Sequence, residues 1–212
     1  MFEGVTVCAP FEHDGVVTTK MTQNFGSTLP TGWGQLSDEE NERNWAIFRD
    51  RFGFTPGIDA RSWPAIAEPI PSVVFDLGAA PAATPGAWAA RVDAINAEAL
   101  RCFVTDWNDD PNFVVLDWQH PGYTFDAEAH AAAKELAEWR VPVYPNGDYY
   151  IFSRDDFTEG TFGHPWERTL CVFGERMVEG LGRTLSTWLP RLRVNGEQVD
   201  SQVGYRGPVR NR

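Results

Sequence analysis

Three short apolar runs constrain the fold of this chain more than any other feature of its sequence. They are residues 72–77 (SVVFDL), 112–117 (NFVVLD) and 169–173 (TLCVF), and each contains β-branched residues. Runs of this length are typical of buried strands, and none approaches the roughly 20 apolar residues of a membrane helix. Segments with helical spacing separate them. The sequence therefore predicts an α+β or α/β domain.

About four helices are expected between and after these strands. Ser37 and Glu40 have the spacing of a capping box, and Thr84-Pro85 is typical of a second helix start. A third, alanine-rich helix is predicted from about Asp126 to Trp139, and a last one from about Glu175. We expect these helices to pack on one face of a mixed, mostly antiparallel sheet, with 160–167 (GTFGHPWE) as a loop or edge segment.

The chain is predicted to contain one globular domain. With 212 residues and 42% hydrophobic content it is long enough to bury a core. Residues 1–36 are rich in Thr, Gly and Pro and are interpreted as an N-terminal extension. Residues 37–195 form the predicted α+β domain, and 196–212 a polar C-terminal tail.

Charge and cysteine content narrow the classes of partner. The formal net charge of −12 disfavours binding to a nucleic acid or an anionic membrane surface and suits a basic protein partner. A small-molecule substrate is the other partner that we expect. The amino terminus lacks the pattern of a secretory signal, and three cysteines cannot all pair within the chain. These features predict a cytoplasmic protein, with an oligomeric state that the sequence leaves open.

Reactive side chains concentrate in three segments, 117–125 (DWQHPGYTF), 146–152 (NGDYYIF) and 163–167 (GHPWE). Each lies at a predicted strand end or turn, where a scaffold usually presents functional groups. Proline after histidine restricts the histidine backbone to extended conformations. If the segments converge, they supply these candidate catalytic residues: His120, His164, Asp117, Asp148 and Glu167.

Imidazole and carboxylate groups in one pocket are suited to general acid–base catalysis. The aromatic residues of the same segments could line that pocket and bind substrate; they are Tyr123, Tyr149, Trp118 and Trp166. We predict no cofactor, although His120 and His164 with a carboxylate could hold a divalent metal. A serine-hydrolase elbow, a phosphate-binding loop and a dinucleotide fingerprint do not occur in the sequence.

Every candidate also has a purely structural interpretation. Either histidine could simply form a hydrogen bond within the fold, and Asp148 could cap the turn that follows Asn-Gly. Glu167 could pair with Arg168 or Arg154 on the surface, and the aromatic residues could belong to the core.

Five segments in the same order resemble a family of small bacterial proteins known only as a domain of unknown function. They are WAIFRDRFGFTPG, EPIPSVVFDL, LDWQHPGYTF, VPVYPNGDYYIF and GTFGHPWERTLCVFG. The resemblance covers about residues 45–181 and implies no particular reaction. The layout of a Gly-Asp turn, an aromatic strand and a terminal helix is also similar in pattern to small toxin-immunity proteins.

These residues support two hypotheses. The first is an enzyme of the hydrolase, lyase or isomerase type that acts on a small molecule by His/carboxylate acid–base chemistry in an aromatic-lined pocket. The alternative is an acidic, non-catalytic binding protein, such as a toxin-immunity protein.

Overall fold

A nine-stranded sheet forms the centre of the molecule. The computed structural model describes residues 29–79, 84–107, 109–133 and 138–200. The strand order is β1-β4-β3-β5-β6-β7-β2-β8-β9, and every pairing between the described strands is antiparallel. The strands are β1 (Trp33–Gln35), β2 (Ser72–Asp76), β3 (Asn112–Asp117), β4 (Tyr123–Asp126), β5 (Tyr150–Ser153), β6 (Gly160–His164), β7 (Thr169–Phe173), β8 (Arg191–Val194) and β9 (Glu197–Gln198).

Helices precede, interrupt and follow the strands. They are α1 (Asp38–Phe52), a 3-10 turn (Ala60–Ser62), α2 (Pro85–Asp106), α3 (Ala127–Ala131), α4 (Glu175–Met177), a π-helical turn (Val178–Gly182) and α5 (Arg183–Leu185). The last three elements are contiguous and together form the C-terminal helix. The fold is α+β, as predicted. No described helix is long and apolar enough to cross a membrane.

Helices cover both faces of the sheet, whereas the sequence interpretation placed them on one face. Alternate residues along the apolar central strands belong to two separate cores, as Val115 and Leu116 on β3 illustrate. The first core contains residues of α2 and the C-terminal helix. The second contains Trp45, Phe48 and Phe52 of α1. The central strands are buried on both sides, which explains their continuous apolar runs.

Several elements differ from their predicted form. Segment 160–167 is not a loop or edge throughout, because its residues 160–164 form β6, which lies between β5 and β7 in the middle of the sheet. Helix α3 is described only to Ala131, and Trp139 lies outside any helix; residues 134–137 are outside the described ranges. Strand β1 comes from the predicted N-terminal extension and β9 from the predicted tail. The first 28 residues, including Cys8, lie outside the described part of the chain.

The predicted capping box at the start of α1 is confirmed. The Ser37 hydroxyl accepts a hydrogen bond from the Glu40 backbone N–H at 3.3 Å, and the Glu40 carboxylate accepts one from the Ser37 N–H at 2.9 Å. Substitution Ser37→Ala is expected to lower the free energy of unfolding by about 1 kcal/mol, whereas Ser37→Gly should lower it by only a few tenths. Urea denaturation measures both. Equal losses for the two variants would contradict the capping role.

Candidate functional site

Two of the predicted segments meet beyond the end of the β3–β5 pair. The His120 ring atom Nδ1 lies 3.1 Å from Asp117 Oδ1 and 3.8 Å from Asp148 Oδ2. The His120 side chain is 59% exposed, whereas each aspartate side chain is only 17% exposed. These three residues are called the Asp-His-Asp cluster. It presents one accessible imidazole backed by two largely buried carboxylates.

A tight turn at the end of β3 delivers the first two members of the cluster. The His120 backbone N–H donates to the Asp117 carbonyl at 3.1 Å, and Gln119 has a φ of 65°. A non-glycine residue in this left-handed region stores strain and is more frequent at functional sites than elsewhere. Pro121 then restricts the His120 backbone to extended conformations, as the sequence predicts.

The third member comes from the residue pair that precedes β5. Asp148 Oδ1 accepts a hydrogen bond from the Tyr149 backbone N–H at 2.8 Å, while its Oδ2 faces His120. This local bond engages one oxygen of the Asp148 carboxylate and leaves the second available to the cluster. Because β3 pairs with β5, Asp117 lies opposite Tyr150 and close to Asp148.

The cluster carries more negative than positive charge. Burial raises the pKa of the Asp117 carboxyl, and the nearby Asp148 charge acts in the same direction against the opposing effect of His120. Burial also raises the pKa of the Asp148 carboxyl. The Tyr150 phenol has a raised pKa as well, through burial and the two aspartate charges. Uncompensated carboxylates in a partly buried place are typical of sites that bind or transfer a proton or bind a cation.

The same three groups could hold a divalent metal. One atom of each, an imidazole nitrogen and two carboxylate oxygens, lies within 4.8 Å of the others. This mixture of nitrogen and oxygen ligands suits several divalent ions. His164, the other predicted metal ligand, is not part of this group.

His164 lies on the opposite face of the sheet and is fully buried, with 0% of its surface exposed. Its Nδ1 accepts a hydrogen bond from the Glu167 backbone N–H at 3.0 Å, so its Nε2 carries the proton and donates to the Tyr149 hydroxyl at 3.4 Å. Burial lowers the pKa of His164 to about 4. Both ring nitrogens are engaged within the protein, and the expected convergence with His120 does not occur.

Glu167 forms a buried ion cluster. It does not pair with Arg154 or Arg168; both carboxylate oxygens accept hydrogen bonds from Arg193, at 2.7 and 3.0 Å. The Arg193 Nε donates to Glu68 at 2.6 Å. The three side chains are only 3–11% exposed. Glu167 is thus a structural partner of Arg193 and is separated from the Asp-His-Asp cluster.

The aromatic residues that were predicted to bind substrate are buried or half-buried and pack against other parts of the protein. Tyr123 is buried and its hydroxyl accepts a hydrogen bond from Arg140 at 2.8 Å. Tyr149 is buried against His164, and its hydroxyl donates to the Gly57 carbonyl at 2.9 Å. Trp118 and Trp166 are half-buried, with ring centroids 6.0 Å apart. They lie beside Tyr149, on the side of the sheet that carries α1.

Some contributing residues escaped the sequence interpretation. Glu68 and Arg193 carry no motif, and only the pairing of β2 with β8 brings Arg193 near Glu68 and Glu167. His130 is buried, and its Nδ1 forms a hydrogen bond with the Thr31 carbonyl oxygen at 3.1 Å. This bond holds the segment that precedes β1. No sequence signal distinguishes such a histidine from a reactive one. Cys102 and Cys171 are buried free thiols with raised pKa values, as expected for core cysteines.

Substitution Asp117→Asn is expected to stabilise the protein at neutral pH. A carboxyl whose pKa is raised on folding contributes stability only while it is protonated, and that contribution is lost as the pH rises through its folded-state pKa. Asparagine keeps an acceptor for His120 and removes the buried charge. Melting temperatures at about pH 7 and about pH 4 measure the effect, which should shrink at the lower pH. The exposed Asp93→Asn is the control, and an equal gain in both variants would contradict this interpretation.

The structure thus defines an α+β domain in which a nine-stranded antiparallel sheet, covered on both faces, presents an Asp-His-Asp cluster at one end. Residues 35–178 match the family described as "Protein of unknown function (DUF2716)", and the chain belongs to this family. It is also 33% identical over 151 residues to the "Uncharacterized protein YxiI" of Bacillus subtilis (strain 168), covering 70% of this chain and 91% of that protein. No solved structure gives a significant match. The resemblance to a bacterial domain of unknown function is confirmed at this level.

Proposed function

We propose that the protein is an enzyme that transfers a proton to or from a small polar substrate through His120. The observation that carries this proposal is the geometry of the imidazole. Nδ1 faces Asp117 at 3.1 Å and Asp148 at 3.8 Å, while the exposed ring forms no hydrogen bond through Nε2 with any described residue. A histidine held by a carboxylate at one nitrogen and open at the other is the usual arrangement of a general acid or base.

Each residue of the Asp-His-Asp cluster has its own role in the proton transfer. Asp117 accepts the Nδ1 proton of His120, which fixes the tautomer in which Nε2 can take a proton from the substrate. When Nε2 accepts that proton, the imidazole becomes cationic and the two aspartates stabilise the charge. Asp148 acts at longer range and is itself positioned by the Tyr149 N–H. The reaction class that fits is hydrolysis, elimination or isomerisation, in which one proton moves at each step.

The test is a substrate panel assayed on purified variants. The panel contains activated esters, lactones, amides, phosphoesters and α-hydroxy ketones. Because the site is open to water, we expect His120→Gln to lower kcat/KM by a factor on the order of 10², at the low end for acid–base catalysis. His130→Gln, at a buried histidine outside the cluster, is the matched control. Activity that survives in His120→Gln, or a wild-type protein inactive on the whole panel, would contradict the proposal.

A metal-dependent mechanism at the same cluster predicts a different response to chelator. If a divalent ion occupies the cluster, chelator will remove the activity of the wild type and added metal will restore it. Under the proton-transfer proposal, activity is unchanged by chelator.

One observation favours the alternative of a non-catalytic binding protein. A groove of about 290 Å³ is lined by five carboxylates and two arginines, together with Trp107 and Thr158; the charged residues are Asp109, Asp110, Asp155, Asp156, Glu159, Arg154 and Arg176. Such a surface complements a basic partner, for instance a toxin bound by an immunity protein. Pull-down from the host with wild type and an Asp155→Lys/Asp156→Lys variant tests it. A basic protein recovered by the wild type alone would favour this function.

A further inference from the structure

Arg140, beside the Asp-His-Asp cluster, is an exposed residue whose guanidinium group is held in place. Its Nε donates a hydrogen bond to the Tyr123 hydroxyl at 2.8 Å, and its guanidinium carbon lies 5.4 Å from the centroid of the Tyr123 ring. Tyr123 is buried, and its ring packs edge-on against Trp33 at a centroid distance of 5.9 Å. The guanidinium is therefore attached to a side chain that the core keeps fixed.

The hairpin of β3 and β4 places this guanidinium near His120. Tyr123 is the first residue of β4, directly after the turn that carries His120, and it pairs with Val115 of β3. Val115 and Asp117 are two residues apart, so the Tyr123 and Asp117 side chains lie on the same face of the sheet as diagonal neighbours. Burial is the main influence on the pKa of the Asp117 carboxyl and raises it, whereas the charges of His120 and Arg140 both lower it. His120 and Arg140 therefore both act on the same carboxylate.

The outer edge of the Arg140 guanidinium is available to a ligand. Within the described residues, its only hydrogen bond is the one at Nε, and neither terminal nitrogen takes part in an ion pair. Two terminal N–H groups in one plane match the two oxygens of a carboxylate. The aspartates of the cluster are largely buried and already engaged, Asp117 with His120 and Asp148 with the Tyr149 N–H. A substrate at this site therefore meets an imidazole and a guanidinium.

We propose that Arg140 binds a carboxylate of the substrate beside His120, so that the substrates are small carboxylic acids with a second, reactive group. This assignment of the substrate class rests on the function proposed for His120. Without Arg140, an anionic substrate would meet only the negative charge of the two aspartates. One guanidinium compensates one negative charge, so a carboxylate suits the site better than a doubly charged phosphate, which the aspartates repel more strongly.

Binding at two points orients the substrate. A molecule held at its carboxylate by Arg140 presents its reactive group to His120 in a restricted set of orientations, which favours the proton transfer. The ion pair with Arg140 is formed in the ground state as well as in the transition state. Its loss should therefore raise KM more than it lowers kcat.

Two matched esters test this division in the full chain. They are the para-nitrophenyl monoester of adipate and para-nitrophenyl hexanoate, which differ only in a terminal carboxylate or methyl group. Arg140→Gln should raise KM for the adipate ester about 10-fold with little change in kcat, and should leave KM for the hexanoate ester unchanged. Arg140→Lys keeps the charge without the paired donors and should give an intermediate KM. Activity that depends on His120 with an unchanged KM in Arg140→Gln would overturn the role of Arg140 and leave the function proposed for His120 intact.

A binding measurement tests the carboxylate site without any activity. Butyrate and butyramide are titrated into the protein while the NMR signals of the histidine rings are followed, and the His120 signal is the one that His120→Gln lacks. We expect butyrate alone to shift this signal, and Arg140→Gln to remove the shift. The same shift in a protein that is inactive on every substrate would support the carboxylate site and contradict the function proposed for His120.

Other results of the titration would overturn the proposal. They are the absence of a shift with butyrate, an equal shift with butyramide or inorganic phosphate, and a shift that persists in Arg140→Gln. Arg49→Gln, which removes an exposed arginine of α1, is the matched control and should change neither KM nor the shift. Tyr123→Phe removes the acceptor of Arg140 Nε and should weaken butyrate binding less than Arg140→Gln does. Melting temperatures show which variants are folded.

Discussion

Replacing Arg193 with methionine is expected to lower the free energy of unfolding by about 3–5 kcal/mol, a large part of the stability of a domain this size. Arg193 lies between Glu68 and Glu167, and its three hydrogen bonds to them span 2.6–3.0 Å. Removing the guanidinium leaves two carboxylates buried without a counter-charge. Glu68 is already under-satisfied, because its Oε2 is buried and has no hydrogen-bond partner.

Chemical denaturation of Arg193→Met measures this loss. The control is Arg61→Ala, which breaks an exposed ion pair with Asp59. Because 90% of the Arg61 side chain is accessible to solvent, the loss should be far smaller than in Arg193→Met. A triple variant that replaces Glu68, Glu167 and Arg193 with apolar residues should recover much of the stability, since it buries no charge. A loss in Arg193→Met no greater than that in Arg61→Ala would show that the buried cluster is not held by its arginine.

Acidification is expected to destabilise the protein by about 3 kcal/mol through His164 alone. The pKa of His164 is lowered on folding to about 4 from 6.5, mainly by burial. A basic group with a lowered folded-state pKa stabilises the fold above its unfolded pKa, and this contribution is lost as the pH falls from 6.5 through 4. The structural reason is direct, since protonation of Nδ1 would break its hydrogen bond with the Glu167 N–H.

The pH dependence of stability in His164→Asn tests this assignment. The asparagine retains an acceptor near the Glu167 N–H and cannot titrate, so stability should fall less between pH 6.5 and pH 4 than in the wild type. His130→Asn is the comparison, because burial lowers the pKa of His130 as well and gives an effect of the same sign. If His164→Asn keeps the full acid sensitivity, the buried imidazole is not its source.

Local signals in the sequence predicted the local parts of the structure. The capping box of α1 involves residues three apart, and the start of α2 depends on Thr84 and the proline that comes after it. Asp117 and His120 are joined across one turn, so their contact could also be inferred from the sequence. Interactions of this kind depend on geometry that a few consecutive residues determine.

What the sequence did not predict depends on the pairing of distant strands. His164 resembles His120 in its Pro neighbour, but β6 turns its side chain towards the core that contains α1. A shift of one residue in the pairing register of β6 would place the His164 side chain on the other face of the sheet. No local sequence pattern determines that register. In the same way, Arg193 meets Glu167 only because β2 lies between β8 and β7. The prediction that helices cover one face was wrong because a continuously apolar strand does not reveal which side is covered.

The two outermost strands in the described part of the sheet are also its shortest, β1 with three residues and β9 with two. The exposed edge of a long, flat strand is a template on which other chains can add by backbone hydrogen bonding. Here the long apolar strands lie between neighbours, and each margin offers only a few free backbone groups. Within the described residues, the sheet therefore ends in margins that offer little template for edge-to-edge addition, while its apolar strands lie inside.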